Sequence, residues 1–302
     1  MVIFLNQKIS KLTQSALQIK RYEYLFRCPI CQSSMKVHEL KSLLCSQNHT
    51  FDMARKGHIH LLTRSSKSNY DKSLFLARKR VIKESDLFEP FTTSMIKFIH
   101  QYTEKPNPLI VDMGAGEGSH LQNIYKGLKQ NYNKKITAFG IDISKEGILE
   151  AAKSYEDIIW IISDIANSPF ADHTFDIILN ILSPSNYEEF TRLLKGDGLL
   201  IKVIPGKHYL QELRKYFYKD HQDYSNENVL NSFKDNFQLI DHSILNFQNT
   251  LNETMLKSLL QMTPLTWNIK ENQLQQFLSA GIYEITVHLE ILVGRKKERA
   301  YD

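Results

Sequence analysis

The chain has 302 residues, 42% of them hydrophobic, a formal net charge of +5 and a pI near 8.9. That is apolar residue enough for a real core in one large or two smaller domains, and its short apolar runs exclude a membrane span. The opening MVIFLNQKIS is unlike a secretory signal, so an intracellular, cytoplasmic enzyme with no membrane partner is the expectation.

Residues 1–21 are polar with no clear period and read as a variable arm. Residues 22–63 hold all three cysteines and read as a small metal-binding module; RSSKSNYDKS (64–73) reads as a loop or linker. Leu74, Phe75, Ala77, Val81 and Ile82 then recur at helical spacing among basic residues. The pattern predicts a helix from about Pro90 to Tyr102 with Phe91, Met95, Phe98 and Ile99 inward, ended by Lys105-Pro106-Asn107-Pro108. Residues 64–105 are thus linker and helices, and residues 106–302 the expected catalytic domain. Within it, LIVDM (109–113), ITAFGID (136–142), IIWII (158–162), FDIILNI (175–181) and GLLIKVI (198–204) read as strands separated by helices. That alternation predicts an α/β, Rossmann-like fold, a parallel sheet covered on both faces. A helix over 208–219, a strand near 237–247, a helix near 252–261 and a strand near 282–293 complete the expected order.

Cys28-Pro29-Ile30-Cys31 is followed by 13 residues and then Cys45-x3-His49. Two soft pairs, each on a short turn, are what a tetrahedral zinc site needs. An odd cysteine count, clustered in one short segment, argues against a disulfide framework. A unit of about 40 residues can barely build a core alone, so the metal is expected to be structural and to supply folding energy. His38, His58 and His60 are the rival ligands.

Between Arg55 and Lys83 nine lysines or arginines stand against one acid, Asp71. Such a stretch attracts phosphate, and Arg55, Lys56, Arg78, Lys79 and Arg80 are the candidate RNA contacts. Reversing Arg78, Lys79 and Arg80 to glutamate is expected to weaken RNA binding and leave cofactor affinity unchanged. The alternative footprint is Lys202, Lys207, Arg214 and Lys215.

Asp112-Met113-Gly114-Ala115-Gly116-Glu117-Gly118 directly follows a buried strand and opens a helix. Its glycines let the backbone bend sharply and approach a ligand. Asp142 closes the second strand, where a carboxylate takes a ribose diol, and Asp164 follows the third, where it can hold an adenine amino group. The spacing is G-x-G-x-G rather than the G-x-G-x-x-G of dinucleotide enzymes. Glu117 inside the turn repels pyrophosphate but suits the amino-acid end of S-adenosylmethionine.

These residues resemble the class I methyltransferases. A closer resemblance runs from about Cys28 to Leu292 and is to the bacterial 23S ribosomal RNA guanine-N1 methyltransferases of the RlmA type. It is carried by CPIC with CSQNH, FDMARKGHIHLL, ARKRVIKES, VDMGAGEGS, GIDIS and LLQMTPLTW in that order. The resemblance implies zinc on Cys28, Cys31, Cys45 and His49, and S-adenosylmethionine against Gly116, Glu117 and an aromatic residue at Phe88, where relatives carry tyrosine. It implies a further cofactor contact at His208 or Tyr209, in PGKHYLQEL. It also implies a homodimer acting on a guanine, at RNA position 745 or 748, in a hairpin loop near the peptide exit tunnel, with a bearing on macrolide response.

The loop after the fourth strand, Asn180-Ile181-Leu182-Ser183-Pro184, is where such an enzyme meets its target base, so Asn180 and Ser183 are candidates for orienting it. Asp71 is a candidate base, and Trp267 and Tyr224 are candidate stacking residues, core being the competing role for both aromatics. Two other classes fit parts of the pattern. A small-molecule methyltransferase needs neither the zinc module nor the basic stretch. A zinc-dependent RNA-binding protein with an inactive methyltransferase domain needs no intact glycine loop.

Overall fold

A computed structural model describes residues 9–64, 70–218 and 225–297. In chain order the elements are α1 (Lys11–Arg21), β1 (Met35–His38), β2 (Ser42–Cys45), β3 (Thr50–Asp52), β4 (His58–His60), α2 (Lys72–Glu84), α3 (Glu89–Tyr102), β5 (Leu109–Met113), α4 (Ser119–Tyr132), β6 (Thr137–Asp142) and α5 (Lys145–Ser154). There follow β7 (Ile159–Ile162), β8 (Phe175–Ile181), α6 (Tyr187–Leu193), β9 (Leu194–Pro205), α7 (Gln211–Phe217), α8 (Glu227–Asn236), β10 (Phe237–Thr250), α9 (Glu253–Met262), α10 (Glu271–Ser279) and β11 (Glu284–Lys296).

The main sheet runs β10-β11-β9-β8-β5-β6-β7-β4. Strands β4 to β9 run parallel to one another, while β11 and β10 return antiparallel at one edge. β7 and β8 are buried at every position, because helices cover both faces and a strand in that place has no solvent side to mark. The strand order reverses between β5 and β8, so the carboxyl ends of those two strands open a crevice, the usual ligand place in such sheets.

Three helices depart from the sequence pattern. The segment read as an arm contains α1, capped by the Ser10 hydroxyl on the Thr13 N–H and burying Ala16 and Ile19. Two inward residues in a polar helix leave too little period to see. Helices α8 and α10 were likewise hidden; α8 buries Phe233 and α10 buries Phe277 and Leu278.

The zinc-module segment is built into the catalytic sheet. Strands β1, β2 and β3 form a small antiparallel sheet of their own, but β4 pairs in parallel with β7 at the edge of the main sheet. Phe26 packs in one aromatic cluster with Phe139, Phe170 and Phe175, ring centroids 4.8–6.4 Å apart. The Arg27 N–H donates to the Pro169 carbonyl at 2.9 Å, and the Ala171 N–H to the Leu25 carbonyl at 2.8 Å. The 22–63 segment therefore shares a core with the underside of the sheet.

Candidate functional site

The two metal-binding turns face each other. The Gln32 N–H donates to the Cys28 carbonyl, and the Asn48 N–H to the Cys45 carbonyl; Gln32 and Asn48 sit in left-handed conformations that fold each chain end back. Cys31 and Cys45 Sγ lie 3.7 Å apart, and His49 Nδ1 lies 3.5 Å from Cys45 Sγ and 3.6 Å from Cys28 Sγ. Zinc–sulfur bonds of about 2.3 Å place tetrahedral sulfurs roughly 3.8 Å apart, so the donor set fits zinc in both chemistry and edge length. All four ligand atoms fall within 4.8 Å of one another, and His38, His58 and His60 are outside the group. A closed set of three sulfurs and one nitrogen leaves no coordination position for chemistry, which is the pattern of a structural site.

The glycine loop lies at the carboxyl end of β5. Gly114 and Ala115 both donate their N–H to the Ile141 carbonyl at 2.9 Å, which pins the loop to β6. Gly116 and Gly118 hold φ of +58° and +80°, a region open to glycine at little cost. Gly118 has a second reason to lack a side chain, since a Cβ there would lie 2.3 Å from the Trp160 ring. Asp142 accepts from the Gly116 N–H at 2.8 Å through one oxygen and from Ser144 N–H at 2.7 Å through the other. The second-strand acid is thus tied to the loop itself. Asp164 accepts from the Ala166 N–H at 2.9 Å and holds the turn after β7.

Arg78, a candidate RNA contact by sequence, instead turns toward the glycine loop. Its Nε lies 3.2 Å from Glu117 Oε2, and Glu117 is fully buried. Asp112 and Asp142 share this neighbourhood, so one guanidinium stands among three carboxylates. Burial pushes Asp112 up to about 7 against the pull of Arg78, and Asp112 Oδ1 has no hydrogen-bond partner among the described residues. A site with surplus carboxylate and an unpartnered acceptor fits a cationic ligand such as a sulfonium cofactor. Lys79 is also engaged, at 2.8 Å from Glu150 and 2.6 Å from Ser154 Oγ, and Arg80 donates to Ser258 Oγ at 3.2 Å. Of the candidate RNA contacts, Arg55 and Lys56, between β3 and β4, are exposed, and so is Arg80 on α2. The expected result for charge reversal changes accordingly. Arg78→Glu should lower S-adenosylmethionine affinity at least about tenfold, since it removes the countercharge of the buried Glu117 and sets a like charge against it, which disrupts the loop that admits the cofactor. Lys79→Glu and Arg80→Glu should leave it within about twofold. Titration calorimetry on the three single variants decides, and wild-type affinity in Arg78→Glu would refute the role.

A cavity of about 650 Å³ opens beside this loop. Its wall includes Arg78, Phe88, His120 and Tyr209 on one side, and Leu182, Ser183, Pro184 and Lys202 on the other. Phe88 and Phe91 hold the His120 ring edge-on, with centroids 5.2 Å away. Burial keeps His120 neutral, far below its ordinary range, with Arg78 adding to the effect. Burial likewise pushes Tyr209 up to about 12.

A family model of the RlmA N-terminal zinc ribbon matches residues 26–69, and a methyltransferase-domain model matches residues 104–271. A Bacillus subtilis protein, YxjB, named provisionally as a 23S rRNA (guanine-N1)-methyltransferase, is 40% identical over 280 residues, covering 90% of this chain and 97% of its own. The chain belongs to the RlmA-type guanine-N1 methyltransferases. The 23S rRNA (guanine(748)-N(1))-methyltransferase of Streptomyces fradiae is 24% identical over 277 residues, covering 89% of this chain and 96% of its own. The fold is the class I methyltransferase fold with an N-terminal zinc ribbon, which makes S-adenosylmethionine and zinc its cofactors.

In this RlmA-type enzyme the candidate catalytic residues fall in different places. Asn180 is fully buried; its amide donates to the Met113 and Pro184 carbonyls at 2.8 and 3.0 Å, and its Oδ1 accepts from Lys202 and Ser185. Its hydrogen bonds go to shaping the loop rather than to a ligand. Ser183 does face the cavity. Asp71 caps α2, accepting from the Leu74 N–H at 2.8 Å and from Ser73, and these bonds hold its carboxylate below the usual range, which makes it a weaker base. His208 stacks on His288 away from this wall, whereas Tyr209 is in it. Trp267 is 41% exposed and meets Tyr70, a cavity residue, edge-on at 5.3 Å, so it is not core. Tyr224 lies outside the described residues.

Sequence reasoning passed over two cavity residues that matter. By sequence Lys202 is only an alternative phosphate contact, but it is 4% exposed. The available signal was a lone lysine inside the apolar run GLLIKVI. His120 gave no local signal, because only packing against Phe88 and Phe91 brings it to the wall.

Proposed function

We propose that the chain transfers a methyl group from S-adenosylmethionine to N1 of a guanine in a hairpin loop of 23S rRNA. The cofactor, when bound, supplies an already activated methyl, so much of the protein's task is positioning. In this reading Gly114, Gly116 and Gly118 admit it, Asp142 takes the ribose, Asp164 the adenine amino group, and Asp112 and Glu117 the cationic amino-acid end. Phe88 packs against it. Tyr209 makes the aromatic contact and His208 does not, since Tyr209 shares the cavity with Arg78.

The single observation that carries the reading is the cavity that runs from Arg78, the ion-pair partner of Glu117 in this loop, to Leu182–Ser185, with the half-exposed Tyr70 in its wall and Trp267 edge-on to Tyr70. An enzyme that alkylates a base must take it out of its stack, and a pocket edged by aromatic rings receives such a base. N1 lies on the Watson–Crick edge and is reachable only in an unpaired nucleotide, which points to a loop. Arg55 and Lys56 then contact phosphate. The family resemblance supports 23S RNA position 745 or 748, a homodimer, a cytoplasmic setting and a bearing on macrolide response. Among the described residues no helix is long and apolar enough to cross a membrane.

The test is incubation with labelled S-adenosylmethionine and either 23S RNA fragments or a panel of quinones and phenols. Nucleoside digestion should return the label in N1-methylguanine alone. Label at N7, on a ribose oxygen or in a small molecule would overturn the substrate and leave the methyltransferase fold standing.

A further inference from the structure

Lys202 sits near the carboxyl end of β9, paired across the sheet with Asn180 of β8 and Leu292 of β11. Its Nζ donates to Asn180 Oδ1 at 2.7 Å and to the Ser183 carbonyl at 3.2 Å. Both partners are neutral. A tetrahedral amine with two N–H groups so used keeps one further position, which holds a third N–H in the ammonium and a lone pair in the free amine. Lys202 also lines the cavity beside Ser183 and Pro184. Among the described residues this amine is therefore buried without a countercharge, at the wall where the proposed target base enters.

We infer that Lys202 is the base that removes the N1 proton of the target guanine. The step rests on the guanine-N1 reading above. The N1–H bond breaks and its proton goes to the Nζ lone pair. The electron pair left on N1 forms the new N–CH3 bond, while the C–S bond of the donor breaks with its pair staying on sulfur. N1-methylguanine and the thioether leave neutral, and the lysine ammonium returns its proton to water.

Two further observations agree. Burial lowers Lys202 to about 8, so a usable fraction of the amine is free near neutral pH. The other titratable groups of the wall are Arg78 on α2, His120 on α4, Tyr187 on α6, and Tyr70 and Tyr209 from loops. Among the described residues of the wall none is a carboxylate. Glu290 of β11, whose cross-strand partner is Ile204, is held by His242 at 2.8 Å and by Asn226 at 2.8 Å. Asp71, the other candidate base, is spent on capping α2.

The experiment uses the full-length zinc-bound protein with a 23S fragment. Lys202→Met should slow single-turnover N1 methylation roughly 100- to 10,000-fold, the usual range for loss of a positioned base, with S-adenosylmethionine affinity within about threefold. The wild-type rate should rise with pH and level off above about 8. Because Lys202 also holds Asn180 and the Ser183 carbonyl, a slow variant alone does not separate proton transfer from loop positioning. Lys202→Ala supplemented with ethylamine separates them: the rate should recover in proportion to the free amine. Titration of the lysine amine by 15N NMR in the cofactor-free protein is a second readout and should give an inflection near 8. Lys202→Met within threefold of the wild-type rate overturns the proposal. So does loss without amine rescue, or a lysine that stays charged to pH 10, either of which makes Lys202 a positioning residue. Wild-type label on an atom other than N1 fails the substrate reading instead, and the base with it.

Discussion

Cys45→Ser should purify without zinc and unfold about 6 °C below the wild-type protein. Cys45 ends β2 and is buried, with its sulfur 3.7 Å from Cys31 Sγ and 3.5 Å from His49 Nδ1. Removing one ligand of four leaves a site too weak for zinc, and structural zinc supplies much of the folding free energy of a small module. The loss does not stop there. The same segment contributes β4 to the main sheet and Phe26 to the cluster with Phe139, Phe170 and Phe175. Loosening it exposes that apolar underside, at a cost of about 4 kcal/mol; at roughly 2.1 cal/mol/K per residue, each kcal/mol shifts the midpoint by about 1.6 °C in a chain of this length. Elemental analysis should find about one zinc per chain in wild type and none in the variant, with calorimetry reading the midpoint. Full zinc and an unchanged midpoint in Cys45→Ser would refute the ligand set.

The second large effect is on the cofactor. Asp142→Ala should weaken S-adenosylmethionine binding by about a hundredfold or more. Its two oxygens hold the Gly116 and Ser144 N–H groups, so the substitution removes the proposed ribose contact and also unpins the glycine loop. Charge-assisted hydrogen bonds contribute roughly 1.5–3 kcal/mol, and about 1.4 kcal/mol is tenfold in affinity. Gly116→Val should be at least as damaging, because φ is +58° there and a Cβ would lie 2.9 Å from the Arg78 guanidinium. Titration calorimetry reads both. Asp142→Ala binding as tightly as wild type would show that the second-strand acid is misassigned.

Arg78 marks the boundary of what sequence reading reaches. In the sequence it is one of nine basic residues facing a single acid, and a phosphate contact is the natural inference. In the fold it turns inward and is the countercharge of Glu117. Lys79 and Arg80 are engaged by Glu150 and by Ser258, 71 and 178 residues away. Charge composition counts groups and does not say which face of a helix meets another helix.

The zinc turns, the glycine loop with its strand-end acids, and the order of β5 to β9 were all decided by the sequence alone. Each depends on short-range chemistry: ligand spacing within a turn, glycine where a backbone must bend, and apolar runs where both faces of a strand are covered. The tertiary structure decided the rest. It made β4 an edge strand of the catalytic sheet, turned Asn180 to shaping its own loop, exposed Trp267 and buried Lys202 among neutral partners. These outcomes depend on which distant segments close over a side chain, and burial without a countercharge is what moves an amine toward the pH where it can take a proton.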